Sequence, residues 1–564
     1  METSRRNFIK IAGAAGVVSG GMASALGEET PAASSQKAGK PPFVTELFLD
    51  NDLLEMTPGV SRRLHPAKKH LMNPVVRRET WWEGDFLQPY TTMYDEKEKF
   101  FKMWARTGSD HASNYFNGNA AYMTYLTSTD GVKWDRPKLG VLEFGNRRDH
   151  NVVFTSDLIA QEDAARPKTQ TKFVEQVTAM RPQGKKAFFW SVVKNPKPRN
   201  PSEAFIALAI IQNHRRGAHI ITSPDGIRWS CASAPFWQTP HDVMGKGDDC
   251  LMQIIYDDAR QKWVVYRRII PEFSERMIAN ESDRDRPLVD RYYRSYARAE
   301  SDDLREWKNH KFILSMDADD PPDTELYQFS CHKIGQIYVG YMSVFHLGPQ
   351  TIDVQLATSR DGIQFTRVCR GEAFIPAGTP GYYDCMAMAC AQSDPVILND
   401  TGYFYYSAVN VPHSHEGGGE LGGCALATFK RDRFASLETG DSDDGLSRVV
   451  TKPLTVQHSK LFLNAATWMK GSIRVEALTR DWQPIPGFTA SDVREIQGDA
   501  LNHPVRWKDN ADVSQLLGKE VRLKFYMVRS RIYGMTLTDE DRKPGAVEND
   551  YRYDKHGDSS PRLI

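Results

Sequence analysis

The sequence predicts an all-β chain: a five-bladed β-propeller followed by a β-sandwich. Three observations carry that expectation. A short Ser/Asp/Gly turn recurs four times, and a polar hairpin between aromatic-rich runs recurs five times. No long segment shows the 3.6-residue apolar period of a helix.

The turn reads Ser128-Thr129-Asp130-Gly131-Val132-Lys133-Trp134. It returns as Ser223-Pro224-Asp225-Gly226-Ile227-Arg228-Trp229 and as Ser359-Arg360-Asp361-Gly362-Ile363-Gln364-Phe365. A looser copy is Ser301-Asp302-Asp303-Leu304-Arg305-Glu306-Trp307. Each closes an apolar run. The Asp carboxylate can accept backbone N–H groups, Gly accepts a positive φ, and the aromatic seeds the next core layer.

Length and charge set the outer bounds. At 564 residues the chain exceeds one ordinary core. Its 72 basic and 72 acidic side chains cancel, so charge makes no case for nucleic-acid or membrane-surface binding. Seven cysteines, an odd number without a Cys-x-x-Cys pair, read as buried small hydrophobes and not as a zinc site. No cofactor is expected.

Taken in order, residues 1–42 read as a targeting segment and flexible leader. Arg5-Arg6-Asn7-Phe8-Ile9-Lys10 resembles a twin-arginine export motif. A Gly/Ala-rich stretch at 11–21 and a cleavage-like Ala23-Ser24-Ala25 follow. The apolar run is shorter than the roughly 20 residues of a membrane span. Export to the periplasm or beyond is therefore expected, with no membrane span after signal removal.

Residues 43–445 hold an approach segment and then five blades. The hairpins are read at 93–104, 181–190, 256–266, 333–341 and 398–406, each with turn residues between runs of aromatic and β-branched residues. Four are followed by the Ser/Asp/Gly turn, and the fifth by Arg431-Asp432-Arg433. Propellers arrange four-stranded blades around a channel. From 446 to 538 alternating strands predict the sandwich, and 539–564 form a polar tail.

A carboxylate precedes each predicted hairpin, where the innermost strand would meet the channel mouth. The five are Asp85, Glu175, Asp248-Asp249, Glu325 and Asp384. Converging carboxylates push one another's pKa values apart, and glycoside hydrolysis uses such a pair as acid and as base or nucleophile. Trp82, Gln88, Tyr327, His346 and His415 complete the candidate substrate-binding set with Glu175, Asp248 and Asp384. The run His413-Ser414-His415-Glu416 and the glycines after it read as a loop over the channel, without a third ligand for a metal.

On these residues the stretch 83–537 resembles the five-bladed glycoside hydrolases of families 32, 43 and 68, above all family 32, whose propeller precedes a β-sandwich. The resemblance implies a carbohydrate substrate and a chain-ordered triad. Asp85 would be the base or nucleophile, Asp249 the pKa-tuning group and Glu325 the acid, with Glu175 or Asp248 as alternatives to Asp249 and Trp82 as a sugar platform. The chain departs from the family pattern in lacking its Arg-Asp-Pro and Glu-Cys signatures. The turns are also similar to the Asp boxes of six-bladed sialidases, which are one residue longer and accompany three arginines and a Tyr nucleophile. A rival reading from another class is a propeller that binds carbohydrate or a protein partner without cleaving anything. It predicts acids spread around the ring with no close pair.

Overall fold

By its internal contacts the chain separates into Met1–Pro41 and a second unit, Pro42–Ile564, which is the one described below. The computed structural model describes residues 41–108, 119–158, 185–211, 217–231, 236, 251–271, 293–390, 393–413, 422–440 and 447–545.

Antiparallel ladders of β-branched and aromatic residues build five blades in a ring. Blade one holds Phe86–Asp95, Phe100–Gly108, Asn119–Ser128 and Val152–Phe154. Blade two holds Lys185–Lys194, Phe205–Ile211 and Gly217–Ser223. Blade three holds Leu251–Asp257, Lys262–Ile269, Ser295–Ser301 and Lys308–Leu314, and blade four Thr324–Ile334, Ile337–His346, Thr351–Ser359 and Thr366–Val368. In blade five Ala387–Cys390 and Val396–Leu398 both pair with Thr401–Val409, which pairs with Gly423–Lys430.

Two blades differ from the sequence reading. In blade two the innermost strand is Lys185–Lys194, which lies against both Phe86–Asp95 and Leu251–Asp257. The hairpin read at 181–190 is therefore displaced by one strand. The cause is Phe205–Ile211, buried at every position. Such a strand shows no apolar–polar alternation and is easily passed over. In blade five the outermost strand comes from far away in sequence: Lys68 and Lys69 pair with Thr428 and Ala427. The approach segment thus closes the ring.

The recurrent turns make the bonds their chemistry implies. Gly131 N–H donates to Ser128 Oγ at 2.8 Å, and the N–H groups of Val132 and Lys133 donate to Asp130 Oδ1. Asp225, Asp303 and Asp361 repeat the pattern. The turns also fasten neighbouring blades. The Gly131 carbonyl accepts from Tyr405 of blade five at 2.7 Å. The Gly226 carbonyl accepts from the Trp104 indole of blade one at 2.6 Å, and that of Gly362 from Tyr266 of blade three at 3.2 Å. Blade three's turn has Leu304 in place of glycine. The blade-two strand preceding it in the ring, Phe205–Ile211, carries no donor side chain at all.

Two expected results follow from this construction. Gly226 has φ +79°, and a Cβ there would sit 2.7 Å from Trp104 Cζ2. Gly226→Ala should destabilise the protein by about 2–4 kcal/mol, summing left-handed strain and overpacking, as read by denaturant unfolding. Acid should also loosen the ring. Burial works to raise the carboxyl pKa of Asp130, Asp225 and Asp361, but hydrogen bonds from the following backbone N–H groups outweigh it and hold each below its ordinary value. At Asp303 those same bonds are the leading cause of a lowered pKa. Their contribution is complete above the unfolded value of about 3.9 and is lost as pH falls through the lower folded values. Melting temperature should therefore drop steeply below about pH 4, and less steeply in Asp225→Asn, whose starting stability is lower.

After the ring, where the sequence predicts a sandwich, the structure has one connected sheet of nine strands that curls. Lys460–Thr479 and Glu520–Thr538 pair along most of their length. Asp499–Pro504, Arg448–Thr451 and Leu454–Thr455 join them, as do Phe43–Leu47, Leu54–Met56, Val60–Leu64 and Ala435–Thr439. The curl has a local cause. The ladder slips at Asn464/Ala465 and at Thr467/Ser472, and at Gly471 a side chain would strike the Arg529 carbonyl. Bulges of this kind bend and twist a strand, letting one sheet wrap Phe48, Leu461, Ile473, Trp507 and Phe525.

Candidate active site

The innermost strands start at one end of the ring, the mouth, and Asp85, Glu325 and Asp384 stand there. Glu175, Asp248, Asp249 and His415 lie outside the described residues. The other three carboxylates have distinct surroundings.

Asp85 immediately precedes Phe86–Asp95. Its backbone N–H donates to the Gly108 carbonyl at 2.7 Å, and its carbonyl accepts from Arg78. The carboxyl is half-buried and makes no hydrogen bond or ion pair among the described residues. It lies at the seam of blades one and five, where Arg78, Asp85 and Gln88 face Ser407, Val409 and Gly423. The nearby Glu83 is a different kind of group. It is fully buried, takes the N–H groups of Glu79 and Thr80, and pairs with Arg136 at 2.6 Å, which fixes the loop that presents Asp85.

Glu325 has no solvent exposure. One oxygen accepts the Tyr293 N–H and the other the Arg294 N–H, both at 2.7 Å, and the Arg294 guanidinium lies 3.6 Å away. These bonds anchor backbone rather than present the carboxyl to a channel. Asp384 is equally committed. Its side chain is 2% exposed, pairs with Lys69 Nζ at 2.6 Å and accepts from Tyr406 Oη at 2.9 Å, tying the closing strand to blade five.

The uncharged candidates divide similarly. The Trp82 indole donates to Asn151 at 2.7 Å and packs beside Tyr122, Phe144 and Val152, so its ring serves the core. The exposed aromatic surfaces on the same approaches are Trp81 (38%) and Tyr382 (59%). Gln88 Oε1 lies 3.4 Å from Arg106 Nη1 and 3.3 Å from Tyr90 Oη. Tyr327 has the Arg268 guanidinium 4.7 Å above its ring and His413 edge-on at 4.8 Å. His346 bonds Asp353 at 3.0 Å, and that carboxylate lifts the imidazole pKa above its ordinary value.

Sequence reasoning missed a repeated device. The innermost ladders break register at Pro89/Thr91, at Leu251/Gln253 and at Leu326/Gln328, and opposite Leu208/Ala209 in blade two. These bulges single out Tyr90, Trp190 and Tyr327. Tyr90 and Trp190 stack with centroids 4.8 Å apart and planes 10° apart. The polar residues that follow then stitch the blades together near the axis. Thr91 Oγ1 accepts the Val192 N–H, Gln253 Oε1 accepts the Cys331 N–H, and Ser393 Oγ accepts the Thr92 N–H. A polar residue after an aromatic, as in Tyr90-Thr91 and Tyr327-Gln328, was the available signal. Asp394 was also missed. Enclosure by protein pushes its pKa up to about 7, while its surface stays open toward a cavity on the axis.

No protein-family model matches the sequence, and no curated protein matches it. Among solved structures the chain is similar to a glycosyl hydrolase from Bacteroides ovatus, at 14% identity over 66% of this chain and 95% of that one, with a TM-score of 0.39. It is similar to a family 43 arabinoxylan arabinofuranohydrolase from Bacillus subtilis, at 11% over 84% and 99%, TM-score 0.36. It is also similar to an N-acetylgalactosamine deacetylase from F. plautii, at 12% over 66% and 96%, TM-score 0.38. Likeness at this level assigns no activity.

Proposed function

We propose that the chain is an exported glycoside hydrolase acting on a poly- or oligosaccharide at the propeller mouth. The observation that carries the reading is the Asp85 carboxyl: half-buried, held by a rigid loop at the start of an innermost strand, and unengaged among the described residues. Glycoside hydrolysis needs one carboxylate to activate water or attack carbon and one carboxylic acid to protonate the leaving oxygen. Asp85 takes the first role. Glu325, buried and accepting the Tyr293 and Arg294 N–H groups, is a positioning residue for 293–294. The acid role therefore passes to Asp249, with Asp248 as the alternative, just before the innermost strand Leu251–Asp257. Trp81 and Tyr382 offer apolar faces to sugar rings.

The test is a glycan-panel hydrolysis assay of wild type against Asp85→Asn and Asp249→Asn. Hydrolysis unaffected by both changes ends the assignment. A second reading, a glycan-binding propeller without chemistry, is favoured by the separate commitments of Glu325 and Asp384. Its signature is a wild-type protein that binds a glycan and cleaves none. Export rests on the Arg5-Arg6 pair. Replacing both with Lys should retain the protein in the cytoplasm, as read by cell fractionation.

A further inference from the structure

A cavity of about 360 Å³ opens on the axis at the hairpin end of the ring, away from the mouth acids. It is lined by the later halves of Phe86–Asp95 and Lys185–Lys194, by Gln253–Ile255 and by residues 393–397. Its size falls within the roughly 300–1,000 Å³ of small-molecule sites. Four blades contribute to it, so the ring itself builds it.

Its polar groups with bonding capacity left over point to one chemistry. Thr92 Oγ1 is buried and makes no hydrogen bond among the described residues. A buried hydroxyl without a partner costs roughly 1–3 kcal/mol and so invites one. Among the described residues Asp394 receives a single long bond, from Gln253 Nε2 at 3.5 Å, leaving most of its carboxyl capacity unused. Desolvation raises its pKa, and a carboxyl accepts when ionised and both donates and accepts when protonated, as hydroxyl partners require. The lining also holds Glu96 and Lys194, but these charges are matched, by Lys99 at 3.1 Å and by Asp95 at 3.4 Å; the rest includes Val192, Ile254 and one aromatic ring, Tyr94. Neutral hydrogen-bonding groups against an apolar wall match a molecule with hydroxyls on its edge and C–H groups on its faces.

We propose that the hairpin end of the channel is a second binding site, for a neutral monosaccharide held by Thr92, Gln253 and Asp394. The site stands apart from the mouth and does not depend on the hydrolytic reading.

The experiment is saturation-transfer NMR of the full chain with D-glucose, D-galactose, D-xylose, L-arabinose and D-fructose offered singly. Two variants accompany the wild type. Thr92→Val removes a hydroxyl that no group among the described residues uses, so the fold should keep its melting temperature. Ile397→Trp blocks the rim from an exposed position, since Ile397 is 41% exposed. At least one sugar should bind. Thr92→Val should weaken it by about threefold to tenfold, the worth of one hydrogen bond, and Ile397→Trp should abolish it. Absence of saturation transfer from all five sugars overturns the proposal. So does binding that both variants leave unchanged.

Discussion

Asp85→Asn is expected to lower kcat on a cleaved glycan by about 10²–10⁴-fold, the usual worth of a positioned proton-transfer group, with the melting temperature unchanged. The amide has the shape of the carboxyl but can neither take a proton from water nor attack an anomeric carbon. Among the described residues Asp85's side chain supports no bond that the fold would lose; its backbone does the anchoring, through Gly108 and Arg78. Activity and stability should therefore separate cleanly at this position. Glu325→Gln should behave in the opposite way. An amide cannot accept at both ends, so one of the two N–H groups at 293–294 would face an NH₂ group. That change should appear first as lowered stability, with any loss of kcat following from it. An Asp85→Asn protein that keeps at least half of wild-type kcat would remove Asp85 from the chemistry, whatever happens at Glu325.

The contrast between these two residues marks what the sequence can express. The Ser/Asp/Gly turns were legible because their bonds run over two or three residues, from Asp130 to Val132 and Lys133. Counting them located the blades. What the turns fasten to was not legible. Trp104 and Gly226 are 122 positions apart, and the correlation of a missing glycine at Leu304 with a neighbouring strand that has no donor side chain exists only in three dimensions. Blade two was misphased for a related reason: a strand buried on both faces loses the period that identifies it. The row of acids was legible as a row, while its chemistry was not. Asp85, Glu325 and Asp384 look alike from their flanking residues. Their roles are set by a Gly108 carbonyl, by two amides just before another blade's strand and by a lysine 315 positions away. Asp394 was passed over because Asp384 already filled the blade-five place in the pattern.

That distant lysine carries the largest expected effect on stability. Lys69→Met should destabilise the protein by about 3–5 kcal/mol, the range for removing one partner of a buried ion pair. The Asp384 side chain is 2% exposed and would keep only the Tyr406 hydroxyl, 2.9 Å away. Tyr406 cannot share the burden by changing charge. Burial first, and then the adjacent carboxylate, push its phenol pKa far above the ordinary value, so it remains a neutral donor. Nor can the site relax around the orphaned charge, because Gly378 packs so closely against Asp384 Oδ1 that even a Cβ would collide with it. The closing strand has two paired residues, and His70, Asn73 and Val76 also bond the approach segment to blade five, so the expected loss comes from the orphaned charge and not from an opened seam. Adding Asp384→Asn to Lys69→Met should restore much of the loss, since a neutral amide still accepts from Tyr406 and leaves no charge buried. If the loss came from the missing strand contacts of Lys69 alone, the double variant would be no more stable than the single one. Denaturant unfolding of the three proteins distinguishes the two causes, and a loss under about 1 kcal/mol in Lys69→Met, the scale of an exposed pair, would mean that the seam is held by something other than this pair.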